Sequence, residues 1–390
     1  MRTRRRFLQA ALTLSIGALA GCSDDEGTTA ADRPTGTPSP TATPGLTTTE
    51  TPPRPETTTA TSPETPTTTP PETTTPKPGY KPPEYVDLAS YSEQTLSLSA
   101  TDSCELGATL SLPEEGNDLP GVVIVHGSGG HDRNGTYGQV QPYRDLALGL
   151  ASEGVAVLRY EKRTYACSLS VDAASLTIDD EVTADALTAV DRLREQDCVN
   201  AGNVVVAGHS LGGMLAPRIA EQDGDLAGIA MLAAPARSLP EIIVYQTRYQ
   251  FERDGDLSEE ERARLERIRT IADRVRAGEV GEDELVWGGG RAYWRSLAAY
   301  DQISTAKALD RPILLQQGQR DDQVPPETEL TRWREALGGS ESVAIRTYGG
   351  LNHFFVDGPG PIATGELPGP GHVAEPVVTD LADWISGVTN

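Results

Sequence analysis

The spacing of apolar and polar residues changes character twice along the chain. At 95–100 and 106–112 the two kinds alternate, with Thr101, Asp102 and Ser103 between them, which predicts an antiparallel hairpin. From 122 onward the alternation gives way to short, nearly unbroken apolar runs at 122–125, 155–158, 204–207, 229–232 and 313–315. Runs of that length suit parallel strands buried on both faces. Segments with helical period lie between them, at 143–153, 178–195 and 211–221. The order β-α-β-α-β-α-β predicts an α/β fold with a doubly wound, mostly parallel sheet and helices on both sides. In such sheets ligands bind at the carboxyl ends of the strands, so chemically important side chains are expected directly after strands.

The alternation is interrupted at about 236–300, where 257–277 is Arg/Glu-rich with helical period and Trp287 leads into a run of glycines at 288–290, followed by Tyr293 and Trp294. We read this stretch as a helical cap inserted over the strand ends, with Tyr293 and Trp294 either shaping a pocket or packing internally. The opposite end of the chain has a different pattern. Arg2 to Arg6 are mostly basic, 7–20 are mostly apolar, and Gly21-Cys22 follows. The apolar run is short for a bilayer-spanning helix and reads as an export signal. Thr3-Arg4-Arg5-Arg6-Phe7-Leu8 looks like a twin-arginine signal, and Leu19-Ala20-Gly21-Cys22 resembles a lipobox in which Cys22 is lipidated. Residues 23–83 are dominated by Thr, Pro, Glu, Ser and Ala, with too few large apolar side chains to offset the entropy of ordering, so a disordered stalk is expected. The organisation expected is therefore a signal over 1–22, a stalk over 23–83 and one large α/β domain over 84–390. It implies an exported protein whose only membrane contact is a lipid anchor on the outer face of the cytoplasmic membrane.

Composition narrows the partners. The formal net charge is −24, and lysine occurs only at 77, 81, 162 and 307. An acidic, Lys-poor surface repels nucleic acid and anionic lipid, and it resembles the surfaces of proteins from extreme halophiles. Besides Cys22 there are three cysteines. Cys167 and Cys198 are the candidate disulfide, closing a loop of about 30 residues worth ~3 kcal/mol in the chain-entropy model; three free thiols are the alternative. No zinc-type spacing of Cys or His is present, and neither a metal nor a cofactor is expected.

Gly208-His209-Ser210-Leu211-Gly212 fits G-x-S-x-G, follows the apolar run at 204–207 and opens a helical segment. A turn this tight requires glycine at the flanking positions and raises the serine hydroxyl above the sheet, where a helix N-terminus favours negative charge. Ser210 is therefore the candidate nucleophile. A serine hydroxyl needs a base, and there are five histidines: His126, His131, His209, His353 and His372. His353 lies just beyond the last expected strand at 343–347, in Gly350-Leu351-Asn352-His353, and is the candidate base. The residue that orients it should follow the strand at 313–315; Asp321 fits a G-x-x-D spacing from Gly318, with Asp322 as the alternative. For the oxyanion hole, the N–H of Leu211 and one from His126-Gly127-Ser128-Gly129-Gly130, with Ser128 favoured, are the expected donors, each worth about 3 kcal/mol. Arg159, Lys162 and Arg163 follow a strand end and read either as a carboxylate-recognising rim or as structural ion pairs.

With these motifs the chain resembles the α/β-hydrolase superfamily, in particular its dienelactone-hydrolase-like and acyl-esterase branch, over roughly 93–388. Some dienelactone hydrolases carry a Cys nucleophile where this chain has Ser210. The resemblance implies a cofactor-independent serine hydrolase acting on small-molecule acyl esters or thioesters. Acyl transfer and peptide hydrolysis on the same triad are the alternatives within enzymes. A surface-binding protein that keeps the fold without turnover is the alternative outside them.

Overall fold

A computed structural model describes residues 79–101 and 104–389. The proposed signal, Cys22 and the proposed stalk up to residue 78 lie outside the described residues. Tyr80 already packs on the folded unit: its hydroxyl donates to Asp145 Oδ1 at 2.6 Å, and the Arg144 guanidinium lies 4.1 Å above its ring.

Eight strands form one sheet in the order β1-β2-β4-β3-β5-β6-β7-β8. β1 (Tyr91–Thr101) and β2 (Cys104–Pro113) make the expected antiparallel hairpin. β2 also pairs antiparallel with β4 (Ala156–Tyr160), and from there every pairing is parallel. The remaining strands are β3 (Leu119–Val125), β5 (Val199–His209), β6 (Gly228–Leu232), β7 (Ile313–Gly318) and β8 (Val343–Tyr348).

Alternate side chains of each central strand feed two separate cores, as the two-residue period requires. On β3, Val123 and Val125 join one core, where α3 (Ala184–Arg194) and α4 (Leu211–Asp223) cover the sheet. Val122 and Ile124 join the other, with α1 (Pro142–Ser152) and the C-terminal helix Glu375–Thr389. Both faces are thus filled by aliphatic side chains, which is why these strands read as unbroken apolar runs. A short helix α2 (Arg163–Ala166) follows β4, and a π-helical turn at Asp179–Thr183 leads into α3.

Between β6 and β7 the inserted region holds α5 (Leu239–Glu252), α6 (Glu259–Arg276) and α7 (Arg291–Ala298), before α8 (Gln302–Ala308) returns to the sheet. Capping boxes at Ser238 with Glu241 and Ser258 with Glu261 start α5 and α6. The chain enters this insert under the grip of Glu329, fully buried at the start of α9 (Glu329–Leu337). Its Oε2 accepts the backbone N–H groups of Ala236 and Arg237, each at 2.9 Å. Tyr293 and Trp294 turn inward: both are buried, and the Trp294 indole N–H donates to Val286 and Gly289 carbonyls. Beyond β8, α10 (Pro361–Thr364) precedes the C-terminal helix, α11.

The disulfide differs from the expected one. Cys104 pairs with Cys167, with Cα atoms 5.9 Å apart, and Cys198 carries a free thiol. The physical reason is the sheet. Cys167 lies just beyond the carboxyl end of β4, whereas Cys198 immediately precedes β5 at the amino ends of the parallel strands. β2 runs antiparallel beside β4, which brings Cys104, at the start of β2, to the carboxyl end of β4.

Candidate active site

Ser210 stands between β5 and α4 with φ 54° and ψ −117°, a backbone region that costs a non-glycine residue about 1–2 kcal/mol. The surrounding structure enforces it. The Ser210 N–H donates to Leu232 O of β6 at 2.9 Å, and its carbonyl accepts the Met214 N–H of the following turn at 2.9 Å. Gly212 lies so close to β3 that a Cβ there would sit 2.5 Å from Val125 O and 2.6 Å from His126 O. Leu211 opens α4, so its N–H belongs to the first turn, whose donors have no partner within the helix.

His353 and Asp321 come together from two loops that follow adjacent parallel strands, β8 and β7. His353 Nδ1 lies 2.8 Å from Asp321 Oδ2, and both residues are buried. Asp321 is held by three further donors: Gln317 Nε2 at 2.9 Å on the same oxygen, and the backbone N–H groups of Gln323 and Val324 at 2.9 and 2.8 Å on Oδ1. With Nδ1–H directed at this carboxylate, Nε2 is the basic nitrogen of the ring. The histidine loop is turned by Asn352, whose Oδ1 accepts the Phe354 N–H at 2.9 Å.

Asp322 points elsewhere. Its Oδ2 accepts the Ala363 N–H, and it is buried against Gly360, away from the imidazole contact made by Asp321. Burial, reinforced by the Asp321 charge and opposed by the Ala363 hydrogen bond, pushes its carboxyl up to about 6.

The loop after β3 carries the expected oxyanion donor, Ser128. The Gly127 N–H donates to the Tyr143 hydroxyl at 3.0 Å, and Ser128 O is 2.7 Å from His131 Nε2. The Tyr143 hydroxyl in turn lies 3.1 Å from His209 Nδ1, and His209 Nε2 lies 2.9 Å from His353 O. Because His353 O can only accept, His209 carries its proton on Nε2 and receives the Tyr143 O–H on Nδ1. One chain of donors therefore joins the loops of Gly127, Ser210 and His353. Burial keeps His209 and His126 well below the ordinary histidine range, and it lowers His131 to about 4 with help from the Lys162 charge.

The basic residues expected at the strand end are internal, Arg159 within β4 and Lys162 and Arg163 just after it. Arg159 donates to Ser111 and Glu93, Arg163 forms a two-pronged pair with Asp185, and Lys162 pairs with Glu181. None is offered to a ligand at the rim. His372 lies beside Asp145, 3.2 Å from each carboxylate oxygen. Sequence reasoning did not find Tyr143 or Gln317, since neither lies in a motif. A polar residue ending the apolar run of β7 was the only signal for Gln317.

The sheet, the serine on its strained turn and the paired loops beyond β7 and β8 define an α/β-hydrolase. The family model described as the alpha/beta hydrolase family matches residues 122–365, and the chain belongs to that family. Among characterised relatives, Esterase EstD of Thermotoga maritima is 37% identical over 309 residues, covering 79% of this chain and 71% of its own. Similar solved structures include Est1E from Butyrivibrio proteoclasticus, at 19% identity and a TM-score of 0.49, covering 75% of this chain and 98% of that one. The acetyl xylan esterase from Paenibacillus sp. R4 has 18% identity and a TM-score of 0.48, covering 77% and 85% respectively.

Proposed function

We propose that the protein hydrolyses carboxylic esters or thioesters through an acyl-enzyme on Ser210. The observation that carries this reading is the 2.8 Å contact between His353 Nδ1 and Asp321 on loops adjoining the strained turn of Ser210. In this mechanism Ser210 Oγ attacks the acyl carbon while His353 Nε2 takes its proton. Asp321 holds the imidazole in the required tautomer and stabilises its cation. The N–H groups of Ser128 and Leu211 receive the oxyanion. Collapse expels the alcohol or thiol, protonated by His353, and a water activated by the same nitrogen then releases the acid and restores the serine. The 37% identity to an esterase supports this class of substrate. On sequence grounds alone we further propose that the domain is exported and anchored through Cys22.

The test is labelling of the protein with a fluorophosphonate probe, beside Ser210→Ala and His353→Ala variants, followed by a panel of acyl esters. Stoichiometric labelling abolished by both substitutions, with turnover of at least one ester, is the expected result. A folded parent that neither labels nor turns over any ester would leave the binding-protein reading in its place.

A further inference from the structure

Lys162 is 1% exposed, deep beside the loop that follows β3. A buried ammonium requires a counter-charge, and Glu181 of the π-helical turn provides it at 3.1 Å. The same ammonium also lies 2.9 Å from the carbonyl oxygen of Gly127. The backbone N–H of Lys162 meanwhile donates to His131 O at 3.0 Å. One residue thus grips the 127–131 loop at both ends.

The Gly127 carbonyl belongs to the same peptide group as the Ser128 N–H. A trans peptide is planar, and its C=O and N–H point in opposite directions. A donor fixed on the carbonyl therefore fixes the direction of the amide hydrogen, and rotation of the plane would move both. The preceding N–H, that of Gly127, is already committed to Tyr143. A positive charge on the carbonyl also draws electron density from the amide, which strengthens its N–H as a donor in a site of low dielectric.

We propose that Lys162 is a positioning residue for the oxyanion hole, orienting and polarising the Gly127–Ser128 peptide so that the Ser128 N–H meets the developing negative charge. This rests on the reading of Ser210 as nucleophile and Ser128 as donor. A lysine serving only as partner to Glu181 would not need the peptide contact. Removing both charges together would then leave turnover intact.

The experiment compares the parent with Lys162→Met, Glu181→Gln and the double variant Lys162→Met/Glu181→Gln. Each is measured for melting temperature, for kcat and KM on p-nitrophenyl acetate, and for inhibition by an aryl boronic acid, which forms a tetrahedral adduct on serine. In the double variant, which leaves no lone buried charge, kcat should fall about 10- to 100-fold with KM changed less than about twofold, because the lost interaction acts on the transition state. Boronic acid affinity should weaken in step. Glu181→Gln, which leaves the buried ammonium without its counter-charge, should melt lower than both the parent and the double variant. The double variant carries the test if Lys162→Met alone fails to fold. A double variant with parental kcat would overturn the proposal. Fluorophosphonate labelling separates the two levels: an unlabelled parent removes the nucleophile reading and this proposal with it. A labelled parent whose double variant turns over normally removes this proposal alone.

Discussion

Asp321 and Asp322 are neighbours with the same side chain, and the fold gives them opposite surroundings. Four donors converge on Asp321, one of them the His353 imidazole, while Asp322 receives the Ala363 N–H and has Oδ1 buried without a partner. Replacing Asp321 by Asn would present an N–H to the imidazole and favour the wrong tautomer, so kcat should fall roughly a thousandfold or more. Asp322→Asn should instead show in stability. Burial penalises the ionised form and pushes the folded carboxyl up to about 6, above the ordinary aspartate value of ~3.9. Below pH 4 the group is protonated whether the chain is folded or not and has no effect. As pH rises from 4 to 6 the unfolded chain ionises first, and the folded state loses roughly 2–3 kcal/mol that does not return at higher pH. The Asn variant should therefore melt higher than the parent at pH 8, with the difference shrinking to nothing near pH 4. Equal pH dependence of the two melting curves would sink this account.

Among the elements, the β1–β2 hairpin is held to the rest of the sheet by the β2–β4 pairing and by the Cys104–Cys167 disulfide. The two cysteines are 63 residues apart in sequence, a separation for which chain entropy predicts about 4 kcal/mol of stabilisation. Mild reduction, or Cys104→Ala, should lower the melting temperature by several degrees. Cys198→Ala, which removes a half-buried free thiol, should change it much less. If the Cys198 substitution proved as damaging as the Cys104 one, the pairing described above would be wrong. The same antiparallel neighbour relation explains why spacing alone chose the wrong partner. Sequence distance favours Cys167 with Cys198, but those positions lie at opposite ends of the parallel strands.

For the whole molecule, 57 acidic residues against 33 basic ones leave a net charge of −24. Several of the arginines are spent inside, as in Arg163 with Asp185 and Arg237 with Glu329, so the excess of carboxylates falls on the surface. Self-repulsion of that surface weakens as the Debye length shrinks to about 3 Å at 1 M salt. Melting temperature should rise with molar KCl, by roughly 2–4 °C for each kcal/mol of repulsion relieved. A melting temperature indifferent to salt would remove the halophile interpretation and leave an ordinary acidic protein.

What the sequence determined by itself is local in origin. Unbroken apolar runs mark strands with two covered faces, helical period marks the segments between them, and a serine flanked by glycines after such a run marks the sharp turn at Ser210. Elimination among five histidines singled out His353 as the proposed base, because only it and His372 follow the last expected strand and it is the nearer to that strand's end. Tertiary structure decided everything that depends on which strands become neighbours. The inversion of β3 and β4 in the sheet placed Lys162 against Gly127, and crossing helices brought Tyr143 under His209 and Glu329 under Ala236. The choice between Asp321 and Asp322 as the partner of His353 rested on how one loop turns after β7. Hydrogen bonds between distant residues leave no periodicity in a single chain, so these contacts become legible only when the sheet is assembled.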